Sequence, residues 1–266
     1  MARHTRLDAE LVRRGLARSR EQAVELINTG RVEVRGVVAR KPATGVSADT
    51  PVRIISDDGD PGYASRGGFK LAGTLGAFPG VRVAGRRCLD AGASTGGFTD
   101  VLLRAGAAEV VAVDVGYGQL AWPLRTDPRV TVRDRTNVRS LAPEQIGGQA
   151  DVTVADLSFI SLRLVLPALC ACTVGDGDIL PMVKPQFEVG RDRLGSGGVV
   201  RDPVHRADAV AEVAAVAASL GWGTAGIATS QLPGPAGNVE FFLWLRRDAP
   251  PAGRAAIDDV VLKAST

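Results

Sequence analysis

Apolar positions along residues 5–56 recur first at helical and then at strand spacing. Leu7, Leu11 and Val12 share one helical face, and Gly15 stands where a helix would stop in the left-handed backbone region. Ser19-Arg-Glu-Gln22 opens a second helix. The Ser19 hydroxyl can accept from a first-turn N–H, and Gln22 holds the third position of a capping box. Ala23, Leu26 and Ile27 form the apolar stripe of that helix, and Gly30 ends it. Residues 31–34 then alternate as a strand, Arg35-Gly36 turns the chain, Val37-Val38 returns, and 52–55 supplies a further short strand. The pattern predicts a small α/β domain over residues 1–60.

Residues 57–64 are polar and interrupted by two glycines and a proline, so they read as a linker, with 61–64 as the joint between domains. The second domain, 65–266, alternates between the two spacings. A helix over 67–75 is followed by apolar strands near 87–91, 109–115, 129–133, 151–155 and 178–183. Helical stretches fall at 97–105, 160–171 and 204–220, and a last strand covers 239–245. Repeating strand–helix units predict a parallel, doubly wound α/β sheet of the Rossmann-like kind.

Composition adds little to that picture. With 45% apolar residues the chain can bury a sizeable core, and no run of 18 apolar residues predicts a membrane span. The N-terminal stretch has charges and no apolar segment of the secretory type, so a cytoplasmic monomer is the expectation. Cys88, Cys170 and Cys172 lack the paired spacing of a zinc site, and His4 and His205 do not complete one; reduced core thiols and no metal are expected.

Charge changes the picture more. Residues 1–53 hold eleven Arg/Lys and six Asp/Glu, a balance of +5, whereas the remainder holds 21 and 23, a balance of −2. A basic module joined to a near-neutral domain suits a polyanion such as RNA. Its candidate contacts are Arg6, Arg13, Arg14, Arg18, Arg20 and Arg31, with Arg66 at the start of the second domain.

The first strand of that domain runs through Asp90 into Gly92-Ala93-Ser94-Thr95-Gly96-Gly97-Phe98. A glycine-rich strand-to-helix turn admits a ligand close to the backbone. The order is G-x-x-x-G-G, so the dinucleotide fingerprint is missing, and an acidic side chain at the strand end would repel a pyrophosphate. Asp90 would suit a cationic amino group instead, as on the methionine part of S-adenosylmethionine. Asp114, 22 residues after Gly92 and followed by Val115, stands where ribose hydroxyls are met in such folds; Asn137, after the third strand, is the candidate adenine contact.

Three further charges break apolar runs at strand ends: Asp156, Lys184 and, at the start of the last strand, Glu240. Around them lie Ser65-Arg-Gly67, Val115-Gly-Tyr-Gly-Gln-Leu120, Ala155-Asp-Leu-Ser-Phe-Ile-Ser161, Val183-Lys-Pro-Gln-Phe-Glu188 and Gly237-Asn-Val-Glu240. With Arg6-Leu-Asp and Ser19-Arg-Glu-Gln-Ala23, these motifs resemble the TlyA haemolysin/rRNA methyltransferases, within the wider FtsJ-like 2′-O-methyltransferases. The resemblance covers essentially the whole chain. Its N-terminal part is similar to the RNA-binding domain first known from a small-subunit ribosomal protein.

The resemblance implies a catalytic Lys-Asp-Lys-Glu set, which falls here on Lys70, Asp156, Lys184 and Glu240, with Asp156 also at the cofactor. It implies S-adenosylmethionine as methyl donor, and cytidine 2′-hydroxyls of 16S and 23S rRNA in 30S and 50S subunits as acceptors. Lys184 would be the general base, Asp156 would hold the ammonium groups, and Glu240 would orient Lys70. One departure stands out: the family's linker commonly carries Arg-Ala-Trp-Val where this chain has Pro61-Gly-Tyr-Ala64. Phe159 and Tyr117 read either as rings that stack on a base or adenine or as core aromatics. The glycine-rich stretch 190–199 reads as a substrate loop or a plain connector. Rival readings are a nicotinamide oxidoreductase, a membrane-active haemolysin, a non-catalytic ribosome-binding factor and a pseudouridine synthase. The oxidoreductase lacks its G-x-G-x-x-G and leaves Lys70 and the basic module unexplained, the haemolysin lacks an amphipathic or spanning segment, the binding factor would not need all four tetrad residues, and the pseudouridine synthase would not need the Asp90/Asp114 pattern.

Overall fold

A computed structural model of the chain describes residues 5–17, 19–55 and 61–264. They form two compact units, divided between Gly62 and Tyr63.

The first unit contains β1 (Thr5–Arg6), α1 (Leu7–Arg13), α2 (Arg20–Asn28), β2 (Val32–Val34), β3 (Val37–Val38), β4 (Gly45–Val46) and β5 (Val52–Ile54). Leu7, Leu11, Ala23, Ile27 and Val32 are fully buried between the helices and an antiparallel sheet of order β3-β2-β5. The Ser19 hydroxyl accepts from Gln22 N–H at 3.2 Å and so caps α2. Arg35 and Gly36 both take positive φ, 55° and 78°, the turn geometry that matches the twist of a two-residue hairpin. The β1–β4 pair was not legible in the sequence, because two residues per strand give no alternation to read.

The second unit contains α3 (Gly67–Ala77), β6 (Arg87–Ala91), α4 (Gly97–Arg104), β7 (Glu109–Val113), α5 (Trp122–Arg125), β8 (Val130–Arg133) and β9 (Ala150–Ala155). It continues with α6 (Leu162–Ala171), β10 (Thr173–Val183), α7 (Pro185–Glu188), α8 (Pro203–Ser219), β11 (Gly223–Thr229), β12 (Phe241–Arg246) and α9 (Arg254–Lys263). Seven strands form one sheet in the order β11-β12-β10-β9-β6-β7-β8. One face buries Leu166, Leu169, Val210, Val213 and Trp222; the other buries Leu71, Phe98, Leu102 and Phe242. Each such side chain contributes about 1.5–3 kcal/mol through burial.

The sheet is mixed and not wholly parallel as the strand–helix alternation suggests. β12 runs antiparallel to both β10 and β11. The β11–β12 connection contains no α-helix, and a parallel return would need a long crossover, usually helical. This reversal has a functional consequence. Ala91 pairs with Ala155, Ala155 with Pro181, and Val183 with Phe241. The start of β12 therefore lies at the same sheet edge as the ends of β6, β9 and β10, which brings Glu240 level with Asp156 and Lys184.

Tyr63 and Ala64, assigned to the linker by composition, pack within the second unit. Ala64 N–H donates to the Asp100 carboxylate at 2.8 Å, and the Tyr63 ring meets Phe69 edge-on at 5.1 Å. Their apolar surface is covered there, which a flexible joint would leave in water.

Candidate active site

The turn from β6 into α4 is built around three glycines that cannot be replaced without collision. A Cβ on Gly92 would lie 2.5 Å from the Asp156 carbonyl oxygen, one on Gly96 2.3 Å from Leu124, and one on Gly97 2.8 Å from Gly68 N. Gly92 and Gly96 also need positive φ, 89° and 97°. Ser94 adopts φ 48° without that freedom, and its N–H donates to Asp114 Oδ2 at 2.8 Å. Asp114 Oδ1 accepts from Gly116 N–H at 2.6 Å, so this carboxylate at the end of β7 fixes both loops.

Above the turn opens a cleft of about 330 Å³, lined by Ser65, Arg66, Gly67, Lys70, Gly92, Ala93, Ser94, Gly97, Phe98, Asp156 and Pro233. That is within the size of small-molecule sites. Thus Arg66, expected at RNA, stands on this wall together with six of the expected cofactor residues.

The other expected cofactor residues do not line it. Asp90 is wholly buried beneath the turn; its Oδ2 accepts from Thr99 Oγ1 at 2.7 Å, and its Oδ1 has no hydrogen-bond partner among the described residues. Burial pushes its carboxyl up to about 7, the Thr99 hydroxyl opposes this, and Asp156 and Asp114 add to the rise. Asn137 is exposed, and its side-chain oxygen accepts from Arg139 N–H at 3.0 Å, capping a 3-10 turn over residues 138–140. Its side-chain oxygen is thus engaged locally. Thr95, Gly96 and Val115 flank the cleft in sequence without lining it.

A buried carboxyl with an orphaned oxygen, two more carboxylates acting on it and a turn too tight for any Cβ together fit a cationic ligand. They disfavour a pyrophosphate, which would meet like charge. These residues therefore fit S-adenosylmethionine.

The four charged residues form two separate ion pairs. Lys70, on α3, donates from Nζ to Glu240 Oε2 at 2.5 Å, and Lys184 Nζ lies 2.6 Å from Asp156 Oδ1. Asp156 was expected to hold both ammonium groups; it holds Lys184, while Glu240 holds Lys70. Lys70, Lys184 and Glu240 are buried, and Glu240 Oε1 has no hydrogen-bond partner among the described residues. A Cβ at Gly234 would come within 2.2 Å of that oxygen, so the bend before β12 is shaped to admit the carboxylate. Lys184 also donates to Ser158 Oγ at 3.0 Å. The sequence reading passed over Ser158, although it sits two residues after Asp156 in the same motif.

The exposed rings resolve one alternative. Phe159 is 91% exposed and Tyr117 67%, so neither is a core aromatic. Phe159 holds φ 63° and leans on Phe187 at 5.2 Å; Tyr117 lies under the Arg135 guanidinium at 4.4 Å. The glycine-rich stretch is tied at its far end: Asn238 Oδ1 accepts from Val200 N–H and its Nδ2 donates to the Gly198 carbonyl, both at 3.0 Å. The three cysteines are buried, and burial pushes Cys88 and Cys170 up to about 12 and Cys172 to about 11.

In the first unit the arginines are organised by two buried carboxylates. Asp8 pairs with Arg6 at 3.0 Å and Arg20 at 3.1 Å; Glu10 pairs with Arg13 at 2.6 Å and Arg14 at 2.8 Å. Those guanidiniums hold both carboxyls down to about 2. Arg6, Arg13 and Arg20 remain more than half exposed. Arg14 differs from the expectation: it donates to the carbonyls of Ser47, Ala48 and Thr50, so its guanidinium is committed to scaffolding. Arg31 is half-buried, with Nε 3.5 Å from the Ile55 carbonyl, and Arg18 lies outside the described residues.

Residues 63–247 match the family described as FtsJ-like methyltransferase, and residues 5–52 match the S4 domain. The 16S/23S rRNA (cytidine-2′-O)-methyltransferase TlyA of Mycobacterium tuberculosis (strain ATCC 25618 / H37Rv) is 60% identical over 265 residues, 99% of this chain and 98% of that protein. Hemolysin A of Brachyspira hyodysenteriae is 33% identical, covering 89% of this chain and 97% of its own. A hemolysin-named protein from Streptococcus thermophilus has a solved structure that superposes with a TM-score of 0.79 at 37% identity, covering 99% of this chain and 96% of that one. Among the described residues no helix is long and apolar enough to cross a membrane. The chain belongs to the FtsJ-like methyltransferase family, with an S4 domain ahead of the methyltransferase domain.

Proposed function

We propose that this chain methylates the 2′-hydroxyl of cytidines in 16S and 23S rRNA, within 30S and 50S subunits, using S-adenosylmethionine. The observation that carries the reading is the placement of Lys70 and Asp156 on the wall of the glycine-turn cleft, each ion-paired to a partner at the same sheet edge. The rRNA specificity rests on likeness to the mycobacterial enzyme and on the S4 domain.

When bound, S-adenosylmethionine supplies an electrophilic methyl group on a sulfonium. The turn from Gly92 to Phe98, with Asp114 and Asp156, would hold it. A ribose hydroxyl is a poor nucleophile until its proton departs. Once Lys184 has released a proton to solvent, its neutral Nζ amine takes the hydroxyl proton, and Asp156, 2.6 Å away, stabilises the ammonium that results. Lys70, fixed by Glu240, places a second ammonium on the cleft wall, where it stabilises negative charge growing on the 2′-oxygen. Asp156 is the carboxylate that both the sulfonium and Lys184 would share. Phe159, exposed three residues after Asp156, offers a face on which the target base can stack.

Transfer of tritium from labelled S-adenosylmethionine to unmethylated 30S and 50S subunits tests this. Label in the rRNA of both subunits is expected. Label in neither, despite measurable cofactor binding, contradicts the assignment of substrate.

A further inference from the structure

Two segments carry the Lys184–Asp156 pair, and neither is held by regular secondary structure where it matters. Residues 156–161 run without helix or strand from the end of β9 to the start of α6. Lys184 leads directly into the single turn of α7, which ends at Glu188. The fixing of one segment against the other depends on side chains.

Glu188 is a buried side chain that the catalytic reading leaves unused. Its side chain is 1% exposed. Oε2 accepts from the Ser161 hydroxyl at 2.5 Å, and Oε1 accepts from Leu162 N–H at 2.7 Å. Arg163 adds an ion pair at 3.4 Å and donates from Nη2 to the Glu188 carbonyl at 3.0 Å. A carboxylate is costly to bury, and an apolar residue could fill the same space. What the carboxylate adds is a directional link between the segment that ends at Ser161 and the segment that begins at Lys184. In sequence, Phe159 falls between Asp156 and Ser161 and Phe187 between Lys184 and Glu188, and the two rings meet at 5.2 Å.

We infer that Glu188, through Ser161 and Leu162 N–H, is a positioning residue that sets Lys184 against Asp156 and the cleft. It does not touch substrate; it fixes the far end of both segments so that Lys184 and Asp156 meet in one geometry. Burial pushes its carboxyl up, while the Ser161, Leu162 and Arg163 donors oppose the rise. The inference rests on reading Lys184 and Asp156 as catalytic.

The test measures steady-state methylation of ribosomal subunits by the full chain carrying Glu188→Gln, Ser161→Ala, Ser161→Thr, the Glu188→Gln/Ser161→Ala double change, or Lys184→Ala. Glu188→Gln puts an amide donor where two donors already point, and Ser161→Ala removes one donor. Because small displacements of a reacting group cost up to about a hundredfold, kcat should fall about tenfold or more in both variants, with KM and cofactor affinity within about twofold. Ser161→Thr, which keeps the hydroxyl, should restore most of the rate. The double variant should be no slower than the worse single one, as for two ends of one link. A lowered melting temperature with unchanged kcat, or losses that multiply in the double variant, overturns the inference. If Glu188→Gln fails to fold, the contrast between Ser161→Ala and Ser161→Thr decides by itself. An active Lys184→Ala would remove the proposed base, and this inference with it. An inactive Lys184→Ala beside a fully active Glu188→Gln would overturn the positioning role alone.

Discussion

Lys70, Lys184 and Glu240 are charged side chains that apolar residues of similar size could replace in a purely structural role at lower cost in desolvation. Asp8 and Glu10 are buried too, and each pairs with two arginines. Their carboxyls titrate at about 2 in the folded chain, against ordinary values of 3.8 and 4.5. A depressed value means stability that is present at higher pH and lost as protons bind. Hydrogen-exchange protection of α1, corrected for intrinsic rates, should therefore hold steady above the ordinary carboxyl values and decline as the pH falls toward 2. Protection that stays flat through that window contradicts the pairing. Single residues were unevenly legible beforehand. Asp156, Lys184 and Glu240 were legible as charges that interrupt apolar runs, whereas Lys70 entered only through the family resemblance. The commitment of Arg14 to three carbonyls was not, since nothing in a run of arginines tells a scaffold contact from a solvent-facing one. Ser158 was hidden for the same reason: a serine in a loop has no pattern of its own.

At the scale of elements, the β6–α4 turn and the reversed β12 build the site. A methyl group at Gly97 would meet Ser65 Oγ at 2.3 Å and Gly68 N at 2.8 Å, and the second of these is backbone that cannot swing aside. Gly97→Ala should cost about 1–3 kcal/mol, read as a lower melting temperature and weaker S-adenosylmethionine binding. Gly76→Ala is the control: a Cβ there meets nothing within 4 Å, and alanine suits a helix better than glycine by about 1 kcal/mol. The same loss in both variants, or in neither, would show that the tightness of the turn is irrelevant. β6, with its apolar run and terminal acid, was read to the residue. β11 was missed because Gly223-Thr-Ala-Gly-Ile-Ala-Thr229 is poor in the bulky residues that mark strands, as suits a half-buried edge. The direction of β12 is a property of its neighbours, and strand periodicity carries no direction.

For the whole molecule, we propose a division of labour between the two units, in which the S4 domain would supply affinity for rRNA and the methyltransferase domain the chemistry. Because Tyr63 and Ala64 belong to the second unit, the division is best tested by a chain that starts at Tyr63. That chain should bind S-adenosylmethionine as the intact protein does and lose most of its binding to ribosomal subunits, as loss of exposed arginines from a polyanion contact would cause. Undiminished subunit binding contradicts the division. The break in composition near residue 60 made the two units legible, whereas the packing of 63–64 depends on Asp100 and Phe69, which no local pattern connects to them.

In the proposed reaction Lys184 activates a ribose 2′-hydroxyl for methyl transfer. This is tested most directly by methylating subunits with labelled S-adenosylmethionine, hydrolysing the rRNA in alkali, and comparing the intact chain with Lys184→Ala. A 2′-O-methyl group blocks cleavage at its own phosphodiester, so the label should appear in an alkali-resistant dinucleotide with the intact chain. It should be lost in the variant while cofactor binding persists. Label released in mononucleotides would place the methyl group on a base, and an alkali-resistant product that survives in Lys184→Ala would show that another group takes the proton.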